Sequence, residues 1–190
     1  MNLPNILTVS RVVLAIVLVF LLEEGSSMGN ILAVIVFALA ASTDFYDGHL
    51  AKKRGMVSNF GKIMDPIADK ILILSTFGVF AHIGQIAWWM FIVIAIREIL
   101  VTASRLVMMG QGQVLAAERA GKIKTVVQIV AVSAILLYLV AQQSEYCSFW
   151  FYNVQEVWLG INKGLIFLTV ILTVYSGIEY YRHKRAGTVK

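Results

Sequence analysis

Asp44, Asp47, Asp65 and Asp69 are the residues of this 190-residue chain whose type and spacing could do chemistry. All four lie at or beside the ends of long apolar stretches. An unpaired charge costs about 2.5–3.5 kcal/mol at the centre of a bilayer and less near its surface, so something should neutralise them. Asp44 and Asp47 stand three residues apart, and Asp65 and Asp69 four, so on helices each pair shares one face. Gly48 and Ala51 continue the face of the first pair with almost no side chain, which leaves room for a bulky ligand against the backbone. A short basic loop joins the two stretches and lets the pairs face one another across a helix hairpin. Four carboxylates balance two divalent cations, and hard oxygen donors suit Mg2+ or Mn2+. Two such ions about 3.5–4 Å apart stabilise attacking and leaving oxygens together in an in-line phosphoryl displacement. One pair also has a purely structural reading. Asp65-Pro66 with Asp69 has the form of a helix start, with an N-cap acid, proline at the first helical position and an acid in the first turn. That reading does not reach Asp44 and Asp47, which end a stretch, where the helix dipole disfavours negative charge.

The elements that must position these acids are apolar helices. Apolar types make up 59% of the chain and charged types 14%, with mean hydropathy +0.79. A soluble domain is nearer a quarter charged. The chain cannot cover its own surface with polar groups, which excludes a soluble enzyme, a disordered tail and a disulfide scaffold. Cys147 is the only cysteine, so no disulfide closes within one chain. The runs are continuously apolar rather than alternating, so they predict transmembrane helices and not a barrel. Six stretches qualify: Pro4 to Leu22, Asn30 to Ala51, Ile67 to Ile83, Ile86 to Met109, Val126 to Val140 and Val157 to Tyr180. The third and fifth reach spanning length if they extend back through Lys62–Met64 and Gly121–Thr125. No basic n-region precedes the first stretch, which is therefore not a cleaved signal peptide.

With the N-terminus in the cytoplasm, Lys52, Lys53, Arg54, Lys62, Arg119, Lys122, Lys124 and the basic tail all fall on the cytoplasmic side. The outer loops hold Lys163 against Glu23, Glu24, Glu145 and Glu156. Under the positive-inside rule both termini are cytoplasmic. The net charge of +5 then reports orientation and anionic lipid contact rather than nucleic acid. Residues 1–190 read as a single all-α integral membrane domain of six transmembrane helices, with a short N-terminal interfacial segment. Trp88, Trp89, Trp150 and Trp158 form an aromatic belt at the outer interface, and the three histidines are scattered. Arg97 sits beside Glu98 after a long apolar run, where an inward-facing pair is favoured over a lipid-facing charge.

The string Asp44-Phe-Tyr-Asp47-Gly48-His-Leu-Ala51-Lys52, then Gly61, Asp65 and Asp69, resembles the signature of the CDP-alcohol phosphotransferases, D-x2-D-G-x2-A-R-x8-G-x3-D-x3-D. Seven of its eight fixed positions are present within residues 44–69. Lys52 stands where the pattern has arginine, which keeps the charge but loses the two-pronged fit to a phosphate. The resemblance implies that Asp44, Asp47 and Asp65 bind two divalent cations, and that Asp69 is the general base and a further metal contact. Gly48, Lys52, Ser58 and Gly61 would line the CDP-diacylglycerol site. Asn5 and Thr8 belong to an N-terminal segment that resembles the family's and would approach the same nucleotide, although an interfacial helix start reads equally well. Ile96-Arg97-Glu98, Arg105 and Gly121-Lys122-Ile-Lys124-Thr125 look like the phosphatidylglycerophosphate synthase branch. This implies that Arg97, Arg105, Lys122 and Lys124 bind glycerol 3-phosphate, a dianion. It also implies a homodimer in the inner membrane with its site open to the cytoplasm. The alternatives are another branch of the family, making phosphatidylinositol phosphate, phosphatidylserine or cardiolipin, or a small divalent-cation transporter. Acids clustered at one end of the helices argue against a transport path.

Overall fold

The computed structural model describes the backbone of residues 3–54, 59–111, 119–143 and 148–185, and the side chains of 9–42, 64, 66–111, 120–143 and 154–183. These residues form six α-helices and no strand: α1 (Leu3–Glu24), α2 (Ser27–Arg54), α3 (Asn59–His82), α4 (Trp88–Gly110), α5 (Arg119–Gln143) and α6 (Ser148–Arg185). Each apolar stretch becomes one helix. α3 and α5 do run back through Lys62–Met64 and Gly121–Thr125, which brings both to spanning length. Residues 3–8 are the opening turns of α1 and continue straight into it. α6, with 38 residues, is about 57 Å long and overreaches the roughly 30 Å hydrocarbon layer at both ends of its apolar stretch.

Asp65-Pro66 does not start a helix. α3 begins at Asn59, and Pro66 lies inside it. The missing proline N–H removes the bond to the carbonyl of residue 62, a loss the surrounding helix tolerates.

The helices neighbour one another in the cyclic order α1, α2, α5, α6, α4, α3, with α5 also reaching α3 across the middle. α1 therefore packs on both acid-bearing helices, and α3 is flanked by α1 and α4. The apolar core fills one end of the bundle, with Leu18, Phe77, Phe80, Val132, Ile135, Leu136 and Ile166 buried together. The short α1–α2 link turns on Gly25, at φ +65°, and Ser26 accepts a 2.9 Å hydrogen bond from the Gly29 N–H, capping α2. Asn30 of α2 donates to Gln143 of α5 at 3.0 Å, closing the ring at this end.

The outside is as apolar as the inside. Phe20, Ile35, Leu39, Ile92, Ile99, Val126, Val157 and Phe167 are all exposed. A water-facing bundle would hide these side chains, whereas lipid accepts them. Among the described residues, Ala120–Gln143 and Val154–His183 are long and apolar enough to cross a membrane. Trp88 and Trp89 are exposed at the start of α4, and Trp158 meets Tyr138 edge to face at 6.1 Å. Trp150's side chain lies outside the described residues.

Candidate active site

α2 stays helical to Arg54 and α3 is helical from Asn59, so both aspartate pairs keep the spacing that places each on one helix face. The side chains of Asn5, Thr8, Asp44, Asp47, Gly48, Lys52, Gly61 and Asp65 lie outside the described residues, as does Ser58 altogether. Among the described side chains no cluster of three or more acids, histidines or cysteines could hold a metal. Three of the four expected ligands are not among them. The donor set nevertheless suits a hard divalent cation: four carboxylates on two helical faces, with one of them, Asp69, half-exposed. Asp69 is ion-paired with Arg11 of α1, which is only 3% exposed. This contact holds the Asp69 carboxylate at the α1–α3 seam.

One helical step further along α3, about 100° around the axis, Lys70 faces the opposite neighbour. Its Nζ lies 2.7 Å from Oε2 of Glu98 on α4. Glu98 is completely buried, and its Oε1 receives Lys124 of α5 in an ion pair and Gln128 Nε2 at 3.3 Å. Arg97 Nη1 is 3.6 Å from the same oxygen, and its Nη2 donates to Ser176 Oγ of α6 at 2.9 Å. Among the described side chains, three cations from three helices thus surround one carboxylate. Buried charge is costly unless it is paired, and so cation-rich a cluster suits an anionic ligand.

Arg97 turns inward beside Glu98, as its position after an apolar run implies. Of the four cations expected around the acceptor, the fold gathers Arg97 and Lys124. Arg105 lies instead over the Tyr180 ring at 5.6 Å, and Lys122 is exposed. Arg97 and Arg105 share a helix face, but eight residues separate them by about 12 Å along the axis. Lys70 is the residue that spacing did not single out. Its only signal in the sequence is a lysine directly after Asp69 at the head of an apolar run.

A model of the CDP-alcohol phosphatidyltransferase family matches residues 1–175. The chain belongs to the CDP-alcohol phosphatidyltransferase family. This family consists of transferases, and the outward-facing apolar belt agrees with a membrane-bound member. Among curated relatives, a CDP-diacylglycerol–glycerol-3-phosphate 3-phosphatidyltransferase of Bacillus subtilis (strain 168) is 36% identical over 95% of this chain and 93% of its own length. A probable phosphatidylglycerophosphate synthase of Mycobacterium tuberculosis (strain H37Rv) is 41% identical over 73% of this chain and 67% of its own. A CDP-diacylglycerol–glycerol-3-phosphate 3-phosphatidyltransferase of Shigella flexneri serotype 5b is 32% identical over 97% and 96%. The family match spans both aspartate pairs and the cluster around Glu98.

Proposed function

We propose that this enzyme transfers the phosphatidyl group of CDP-diacylglycerol to glycerol 3-phosphate, giving phosphatidylglycerol phosphate and CMP. The observation that carries the reading is the placement on α3 of an acid and a cation in succession. Asp69 faces α1, and Lys70 joins Arg97 and Lys124 around Glu98. An acceptor that carries a phosphate as well as a hydroxyl is the kind that the cations of α3, α4 and α5 suit. Relatives covered almost end to end, and named for this reaction, support the same choice.

In this reading Asp44, Asp47, Asp65 and Asp69 hold two divalent cations, Mg2+ or Mn2+. When bound, these supply charge neutralisation at the pyrophosphate and at the leaving oxygen. Gly48, Lys52, Ser58 and Gly61, with Asn5 and Thr8 of α1, form the CDP side of the site. Asp69 takes the proton from the 1-hydroxyl of glycerol 3-phosphate. The oxygen forms its bond to the phosphorus that carries diacylglycerol, and the bond from that phosphorus to CMP breaks. The cluster around Glu98, which includes Arg97 and Lys124, holds the acceptor phosphate. Arg105 and Lys122 lie further out and draw the anion toward it. The acyl chains remain in the bilayer, which is why a water-soluble acceptor is served by so apolar a scaffold.

The same reading gives six membrane spans, both termini cytoplasmic, and a site open to the cytoplasm from the inner membrane, as one domain that assembles as a homodimer. A CMP-release assay with glycerol 3-phosphate, inositol phosphate, serine and phosphatidylglycerol offered separately tests it. Turnover with glycerol 3-phosphate alone is expected. Turnover only with another acceptor moves the protein to a different branch, and divalent-cation flux without CMP release refutes the transferase reading.

A further inference from the structure

The geometry points to a clamp on α3: two ion pairs on consecutive residues fix the rotation of this helix, with Arg11 and Lys70 as the positioning residues that aim Asp69. This rests on the preceding reading in one respect, that Asp69 acts at the reacting centre beside divalent cations. Arg11 of α1 pairs with Asp69, and Glu98 of α4 pairs with Lys70 at 2.7 Å. In each pair the partner on the neighbouring helix is the buried member. Arg11 is 3% exposed and Glu98 not at all, whereas Asp69 and Lys70 are 36% and 28% exposed. A buried charge has no water to replace a lost partner, so each anchor holds its α3 residue in place. Glu98 is itself tied to Lys124 and Gln128 of α5, so Lys70 joins α3 to two helices at once.

The order of the charges gives the clamp its direction. Consecutive helical residues point about 100° apart, so the two pairs grip α3 from different sides. Turning α3 by one residue in one sense would bring Lys70 to Arg11, cation against cation. Turning it in the other would bring Asp69 to Glu98, acid against acid. Either turn separates both pairs and sets like charges together. The clamp also sits where α3 most needs it. Pro66 lies three residues before Asp69 and deprives the helix of one backbone hydrogen bond in the turn that leads up to it. Held from two sides just past this weak point, α3 keeps one rotation, and with it the direction of the face that carries Asp65 and Asp69.

Purified full-length protein in phosphatidylcholine nanodiscs tests the clamp, by Mn2+ titration followed through the paramagnetic signal of the free ion and by CMP release at saturating Mn2+. Arg11→Gln and Lys70→Gln each remove a cation near the acids, which by charge alone would tighten Mn2+ binding. Loss of position acts the other way, and each variant should bind Mn2+ about 10-fold more weakly than wild type. Arg11→Gln should also lower kcat about 10- to 100-fold while both KM values stay within about threefold. Lys70→Gln takes a cation from the acceptor cluster as well, so its readouts are Mn2+ affinity and kcat at saturating glycerol 3-phosphate, which should fall by similar factors. Arg11→Lys and Lys70→Arg keep the charges and should recover most of both losses. Lys70 is part-exposed and carries the test if Arg11→Gln does not fold. Mn2+ affinity that is unchanged or tighter in the glutamine variants would overturn the clamp, as would an Arg11→Gln defect confined to the acceptor KM. Wild-type protein that binds Mn2+ but does not use glycerol 3-phosphate would refute the choice of acceptor alone, because the Mn2+ titration still reads the clamp. Wild type that binds no Mn2+ would refute the two-cation reading and the clamp's role with it.

Discussion

Replacing Glu98 with glutamine keeps the side chain's shape and removes its charge, so it isolates what that charge does for the fold. In the native bundle Lys70 Nζ lies 2.7 Å from the carboxylate. At an effective dielectric of about 20, that contact alone is worth roughly 6 kcal/mol of attraction, set against the cost of burying Glu98. Glu98→Gln leaves Lys124, 1% exposed, with an uncompensated ammonium. Breaking one side of a buried pair costs about 3–5 kcal/mol. At 2–4 °C per kcal/mol for a chain of this length, Tm should fall by roughly 6–20 °C. Lys124→Met is the milder change. It leaves Glu98 with Lys70, Arg97 and Gln128, so the loss should be about 1–3 kcal/mol. The double variant removes both buried charges and should lose about 2 kcal/mol less than the sum of the single variants. Thermal unfolding in detergent micelles, followed by tryptophan fluorescence, measures all four proteins. Additivity within about 0.5 kcal/mol, or a larger loss from Lys124→Met than from Glu98→Gln, would refute the account of the cluster.

Chelation by EDTA should abolish CMP release, and Mg2+ or Mn2+ should restore it; Asp69→Asn should stay inactive by at least about 100-fold with either ion. Gly177 touches Arg97, and a Cβ there would lie 3.2 Å from Arg97 Cγ. Gly177→Ala should therefore raise the acceptor KM several-fold and cost about 1 kcal/mol of stability, read from kinetics and Tm together. Gly29→Ala would put its Cβ 2.8 Å from the Leu21 carbonyl oxygen. It should cost about 1–3 kcal/mol by overpacking the α1–α2 seam while leaving both KM values unchanged, because it lies at the end of the bundle away from the site. Lys163 lies inside α6 and not in an outer loop, so Glu24 at the end of α1 is the better probe: in a Cys147→Ser background, a membrane-impermeant maleimide applied outside intact cells should label Glu24→Cys and not Lys122→Cys. The reverse pattern would invert the proposed orientation.

Much of this fold is legible along the chain because lipid imposes a simple rule: each crossing must be long, apolar and internally hydrogen-bonded. The six apolar stretches it picks out each become one helix, and α3 and α5 run back through the polar residues at their starts. The rule is weaker at helix ends. Asp65-Pro66 has the local chemistry of a start, yet α3 begins earlier at Asn59, because proline's lost hydrogen bond is small beside the packing of a complete helix. The inward turn of Arg97 with Glu98 was legible from the cost of facing lipid. The grouping of Arg97 with Arg105 was not, since angular position around a helix ignores the rise that separates two residues along it.

Spacing in the sequence alone determines which acids share a helix face, that the chain is built from apolar helices, and which family motif it carries. These are properties of neighbours within one helix, where separation along the chain sets geometry. Only the tertiary structure decided that α3, α4 and α5 converge on Glu98, that Lys70 replaces Arg105 and Lys122 in that cluster, and that Arg11 reaches Asp69. Those contacts join residues 26 to 58 positions apart, and they exist because the cyclic order of the helices brings particular faces together. Apolar surfaces attract without direction, so the pattern of one helix says which side is buried and nothing about which helix will cover it.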